Sequence, residues 1–314
     1  MCAARGYTAR PARSHVTIEH CPALFVIYDD MDAKWFFSSR WRRTWFALGM
    51  LALAIAAALA IRWLAVERHR MALMNAEYAP PPEGMVFVPA GYFWMGSDSP
   101  EASADVPELQ HVFLPAFYID KHEVTNAEFA EVFPDHEYPE GEDDMPASHV
   151  LRPEAIEYSQ KRGGHLPSAA EWEKAARGTD GRQWPWGNEF RPECANIGRL
   201  DADAREQLEA RGISCGVLGP RVKVEVGSYP CGASPYGALD MAGNVWEWVS
   251  DLYVDERPPL EWNWEPIERA IIRGGAYGYG PDAARTWFQA FEDPDATCND
   301  VGFRMAMKAE RLTR

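Results

Sequence analysis

The chain has 314 residues, 47% of them hydrophobic and 25% charged, with 24 Gly and 24 Pro. That composition excludes a collagen-like, disordered or low-complexity chain. The net charge of −16 argues for no nucleic acid as partner, because phosphate binding needs a basic face. Charge is unevenly spread: residues 1–70 carry ten Lys/Arg against five Asp/Glu, and the remainder carries 21 against 42.

Residues 1–43 read as a basic cytoplasmic head. Thr44 to Ile61 is an uncharged apolar run, and beyond Arg62 the run resumes as Trp63-Leu64-Ala65-Val66. Residues 44–66 therefore predict one transmembrane helix, a signal anchor crossing a hydrocarbon core of roughly 30 Å. Trp41, Trp45 and Trp63 stand at its ends, where indoles favour the interface. Arg40, Arg42 and Arg43, with Lys34 behind them, outweigh the bases after the span and place the N-terminal side in the cytoplasm. The C-terminal domain is then extracytoplasmic, in the periplasm if the source is a Gram-negative bacterium. A cleaved signal peptide with Ala58-Leu59-Ala60 as its site is the rival reading. A buried helix of a soluble domain is the other.

Residues 67–83 read as a stalk ending in Pro80-Pro81-Pro82, a stiff spacer. Residues 84–309 read as one domain with no internal repeat. Gly84–Pro89 and Gly91–Gly96 predict two short strands forming a hairpin. His111–Ile119 predicts another strand. Thr125-Asn126-Ala127-Glu128 is a capping box opening a helix that ends near Phe133-Pro134. Arg152–Arg162 predicts a second helix. Ser168-Ala169-Ala170-Glu171 caps a third, which stops at Gly178. Beyond Gly181 the pattern is short strands and turns, with a further helix over 201–211.

Four of the six cysteines, Cys194, Cys215, Cys231 and Cys298, lie in this domain. An oxidising compartment permits disulfides among them in three connectivities. No C-x-x-C, H-E-x-x-H or H-x-x-x-H spacing occurs, so neither a zinc ribbon nor a thioredoxin-type site is indicated.

Seven phrases in order carry a family signature. They are Gly84–Gly91 with Met95-Gly96, Ile119–Asn126, and His165–Glu173. Next comes Trp184-Pro185-Trp186-Gly187-Asn188. The last three are Asp240-Met241-Ala242-Gly243-Asn244-Val245-Trp246-Glu247-Trp248, Arg273-Gly274-Gly275-Ala276 and Gly302-Phe303-Arg304. The sequence resembles the formylglycine-generating enzymes, or sulfatase-modifying factors, over essentially all of 84–309. The resemblance implies an α+β fold, a C-type-lectin-like variant with little regular secondary structure. It also implies calcium, held by side chains of Asp240 and Glu247 with carbonyls of Gly243 and Val245. Two carboxylates in a Gly-containing turn suit such a hard cation. A second family calcium would use Asn196 and Ile197, but the acidic Asp-Gly stretch that completes it is absent.

The family's oxidases convert a substrate cysteine to formylglycine with oxygen and copper. The copper is held by two cysteines in the loop after Arg-Gly-Gly, and soft thiolates are what hold Cu(I). Here that loop, residues 273–285, contains no cysteine, so copper is not expected. Relatives that make ergothioneine-type bonds use clustered His in an extra domain, for which 1–83 offers no counterpart. Another relative acts on a pyoverdine chromophore in the periplasm. In place of thiols this loop region offers Tyr277, Tyr279, Asp282, Arg285 and Trp287, a candidate ligand cleft for a sugar or an apolar peptide.

The sequence thus reads as a membrane-anchored extracytoplasmic protein with a sulfatase-modifying-factor-type domain. Its role is that of a non-oxidase binding or scaffold module for a peptide, glycan or envelope protein. The alternatives are an enzyme of the same family using non-copper chemistry and a formylglycine-generating oxidase.

Overall fold

The apolar run folds as one continuous helix, α1, over Ser39–Met74. In the computed structural model, residues 39–102, 106–198, 222–255 and 267–312 are described. The chain divides into two compact units, Met1–Ala65 and Val66–Arg314. Within α1, Arg43–Met74 is long and apolar enough to cross a membrane, and none of its most apolar window is buried. The core helix of a soluble domain would bury that surface.

The helix runs past the expected end of the span, to Met74, so the first part of the segment read as a stalk is helical. In the second unit Arg70 donates to the Tyr92 hydroxyl at 2.7 Å and lies over the Phe113 ring. The segment that follows is tied down as well. Leu312 N–H donates to Glu77 O, Ala79 N–H to Glu310 O, and the Tyr118 hydroxyl to Ala79 O. Three prolines lack amide donors but not acceptors, so the stretch still packs through its carbonyls and its non-proline neighbours.

Among the described residues the strands form three sheets. β1 (Met85–Val88) pairs with β4 (Phe117–Asp120), and β4 with β9 (Ala306–Lys308), all antiparallel. β2 (Gly91–Met95) pairs with β3 (Gln110–Leu114). The expected hairpin between 84–89 and 91–96 is therefore not formed. The single strand expected over 111–119 is two, broken at Pro115, which cannot donate to a ladder. The largest sheet orders β7 (Gln289–Glu292), β6 (Ile267–Arg273), β5 (Trp246–Asp255) and β8 (Val301–Gly302).

Three helices sit where the sequence places them, two of them behind capping boxes. α2 spans Asn126–Val132 behind the Thr125/Glu128 box, α3 spans Arg152–Lys161, and α4 spans Ala169–Arg177 behind the Ser168/Glu171 box. The helix expected over 201–211 lies outside the described residues. Trp172, Trp248, Phe93, Phe117 and Phe303 are fully buried, each worth about 3 kcal/mol of transfer free energy. Cys194 and Cys231 form a disulfide, and Cys298 is disulfide-bonded too.

Candidate functional site

α4 delivers two things to the core from one face. Trp172 donates its indole N–H to Glu247 on β5 at 2.7 Å. Glu173 accepts from Arg273 at 2.7 Å and from Arg177, one turn on, at 2.7 Å. Arg177 in turn donates to the carbonyls of Trp94, Gly96 and Gly181. The buried pair thus fixes the end of β2, and with it the indole of Trp94. Sequence reasoning missed Glu173, although its i,i+4 spacing from Arg177 is a readable pair.

The Asp240–Glu247 segment, expected to hold calcium, begins as a tight loop. Asp240, Gly243 and Asn244 all take positive φ. At Gly243 the strain is obligatory, because a Cβ would collide with the Asn196 carbonyl. Asn244 is the hub. Its amide donates to Glu123 and Val224 O, and its carbonyl accepts from Val224 N–H and Asn196. Asn196 also donates to Val222 O, and its own carbonyl accepts from Asn244 N–H. Asn196 and Ile197, read as a separate second site, therefore pack against the first turn.

Of the residues expected to hold calcium, Glu247 is already engaged. Both Glu247 oxygens are taken: Arg304 reaches each at 2.7 Å, and Trp172 adds a third bond. Glu247 is an ion-pair partner, not a carboxylate open to a cation. The open acid is Glu123, fully buried, with its Oε2 unpartnered. Asp240 lies beside it and accepts from Gly227 N–H at 2.6 Å. Burial first, and then the neighbouring Asp240 charge, push the Glu123 carboxyl well up. Burial likewise raises Asp240. Burial opposes charge on Arg304, yet Glu247, Glu123 and Asp240 together hold it above its usual value. Two buried carboxyls side by side are satisfied by a shared proton or by a hard cation. Among the described residues no three His, Cys, Asp or Glu side chains converge as a ligand group, so such an ion would lean on backbone carbonyls. Glu123 stands inside the phrase Ile119–Asn126, but only the fold brings it to the turn.

The loop after Arg273 splits in two. Tyr277 is buried and Tyr279 half-buried. Tyr279 meets Trp246 edge-on at 5.3 Å, and Phe288 packs on the same indole. Burial, helped by the Asp300 charge, raises both tyrosines to about 12. Burial also lifts Asp300 to about 6. These two rings are core, not cleft.

Asp282, Arg285 and Trp287 do come together. Arg285 pairs with Asp282 at 2.9 Å and with Glu101 at 2.7 Å, bonds Gln183, and lies over the Trp184 and Trp287 rings. Beside this clamp is an open cleft of about 530 Å³ lined by Trp94, Asp98, Gln183, Asn188 and Trp287, among others. Trp94 is 43% exposed. Carboxamides, carboxylates and an accessible indole in one concavity are the groups that recognise hydroxyl-rich or peptide ligands.

Residues 70–309 match the family model described as the sulfatase-modifying factor enzyme 1-like domain. The chain belongs to the sulfatase-modifying factor family. It is 28% identical over 287 residues to the formylglycine-generating enzyme of Bos taurus, covering 72% of this chain and 75% of that one. It is also 28% identical over 286 residues to the inactive C-alpha-formylglycine-generating enzyme 2 of Mus musculus, covering 72% and 86%. Among solved structures, PvdO from Pseudomonas aeruginosa superposes with a TM-score of 0.55 at 24% identity, covering 76% of this chain and 98% of PvdO. That likeness is one of fold. Within the family, this chain's 273–285 loop has no cysteine, and its three described cysteines are all in disulfides.

Proposed function

We propose that this family member is a binding module, not an oxidase, carried on a single membrane-spanning helix with its domain outside the cytoplasm. The observation that carries the reading is the loop 273–285. It holds aromatic and ion-paired side chains where copper chemistry needs a pair of thiolates. A curated relative of comparable similarity is itself named inactive. The domain follows the C-type-lectin-like architecture of the family. The cleft walled by Trp94 and Trp287, and braced by Arg285, receives a peptide or glycan. A calcium ion stabilises the Asp240 turn, held by Asp240 and Glu123 with the carbonyls of Gly243 and Val245. That ion supplies charge neutralisation for two buried acids and no chemistry. Glu247 contributes by fixing Arg304 and Trp172 beneath the turn.

A second reading has its own observation. Asp300, lifted to about 6 beside two tyrosines, is the kind of perturbed cluster found at catalytic sites. On that reading the chain modifies a peptide or small molecule by non-copper chemistry. One experiment separates the two. The full chain in detergent, loaded with copper, is given cysteine-containing peptides while oxygen uptake is followed. In parallel, peptide and oligosaccharide panels are titrated against tryptophan fluorescence. The binding-module reading expects no oxygen uptake and a saturable signal that Trp94→Ala removes. Oxygen uptake that depends on the thiol peptide would overturn it.

A further inference from the structure

On the side of the domain formed by α2 and the loop after it, a second pocket of about 480 Å³ has a composition unlike the first. Phe129, Phe133, Tyr138 and Pro139 supply an apolar wall. Phe129 and Phe133 stack at 4.7 Å, and His136 meets Phe129 edge-on at 4.9 Å. At the inner end stand Ser148 and Lys223. Ser148 is buried. Lys223 donates to its hydroxyl at 2.7 Å and to Pro146 O at 3.3 Å.

Lys223 is unusual in this acidic chain. It is half-buried and, among the described residues, feels a carboxylate, Glu142, only through its charge and not through an ion pair. An ammonium has three donors, and two are used. The third N–H and the proton of the Ser148 hydroxyl remain for a ligand acceptor. Burial lowers the Lys223 pKa, with the Glu142 charge offsetting it in part. Around the mouth the sign reverses. Asp135, Glu137 and Glu154 line the same pocket, with Glu154 anchored by accepting from Leu151 N–H. His136 is held towards its neutral form, by burial first and then by Lys223, and spends Nε2 on Asn126.

One interior cation and three acids at the mouth leave the pocket net negative, so a phosphate dianion is repelled overall. A ligand that carries one carboxylate and one ammonium satisfies both ends. The apolar wall adds a side-chain subsite, and the volume suits one amino acid or a very short peptide. We propose that this pocket binds a free α-amino acid with an apolar or aromatic side chain. The carboxylate sits on Lys223 and Ser148, the ammonium faces the acidic mouth, and the side chain lies on Phe129 and Phe133. This site is separate from the Trp94 cleft and does not depend on what that cleft binds.

The test is calorimetric titration of the full chain in detergent with L-phenylalanine, N-acetyl-L-phenylalanine, phenethylamine and inorganic phosphate. Saturable binding of phenylalanine is expected, with the analogues lacking either charge at least about tenfold weaker, the worth of one charge-assisted hydrogen bond. Lys223→Met should lose at least about tenfold, while Lys223→Arg keeps measurable affinity. Melting temperatures of both variants report whether they remain folded, and Phe133→Ala provides an independent variant at the apolar wall. Three results would overturn the proposal: no saturable binding, phosphate binding more tightly than phenylalanine, or a folded Lys223→Met with unchanged affinity.

Discussion

Two fully buried glutamates in this domain lie in the same core and are treated differently. Glu247 has every oxygen engaged, by Arg304 and by Trp172. Glu123 has one oxygen on the Asn244 amide and no donor on the other, which stands beside the Asp240 carboxyl. The first is a closed ion pair. The second is an acid paired with another acid, Asp240, within reach of the Arg304 charge. The difference separates structural charge from charge that expects a ligand, and it moves the candidate calcium set from Glu247 to Glu123.

The largest effect should come from breaking the closed pair. Glu247→Gln takes from the buried Arg304 its only hydrogen-bonded carboxylate among the described residues, and should cost about 3–5 kcal/mol in urea unfolding of the detergent-solubilised chain followed by tryptophan fluorescence. Removing both charges in Glu247→Gln/Arg304→Met should cost less than the sum of the single changes. An additive result would mean that the two are not coupled.

Calcium should act on the other glutamate. If the ion binds the native turn alone, calcium at a hundred times its dissociation constant adds about 2.7 kcal/mol. Glu123→Gln should abolish that increment while costing little in chelator, since the neutral amide matches the protonated acid. An equal calcium increment in wild type and Glu123→Gln would place the ion elsewhere.

The pH dependence sharpens the same contrast. Glu123, Asp240, Asp120 and Asp300 all have folded pKa values above their unfolded ones, with Asp120 raised by burial to about 7 and Asp300 to about 6. The native state then binds more protons than the unfolded one. The contribution of these groups favours folding near pH 4 and is lost as pH rises through 6 to 7. Calcium should flatten the part of that slope owed to Glu123 and Asp240, and its affinity should rise with pH. Stability measured at several pH values, with and without calcium, checks the sign.

The smallest effects lie outside both glutamates. Thr125→Ala and Ser168→Ala each remove a capping bond from a helix start and should cost about 1 kcal/mol. Neither loss should depend on calcium, which makes them controls for the larger changes.

The capping boxes were legible because a helix start is written in four adjacent residues. So was the apolar helix, whose length is a local property. Strand pairing was not. β1 prefers β4 to its sequence neighbour β2, a choice made by the whole sheet and not by the turn between them. Nor was the docking of the stalk legible, because Ala79 and Glu77 find partners at Glu310 and Leu312, far along the chain. At the site, Asp240 and Gly243 were visible from one phrase, while Glu123 and Asn196 join them only through tertiary packing. Tyr277 and Tyr279 alternate with Gly278 in a pattern that says nothing about depth, so their burial had no sequence signal. Arg285 and Asp282, three apart, were readable as a pair.

The most direct test is the metal content of the full chain, purified in detergent and loaded in parallel with copper, iron and calcium, then measured by mass spectrometry. A structural cation at the Glu123–Asp240 turn predicts about one calcium per chain, the load of a single oxygen-donor site, lost in Glu123→Gln, and no copper or iron retained in proportion to protein. Copper or iron held stoichiometrically through dialysis would contradict the binding-module account.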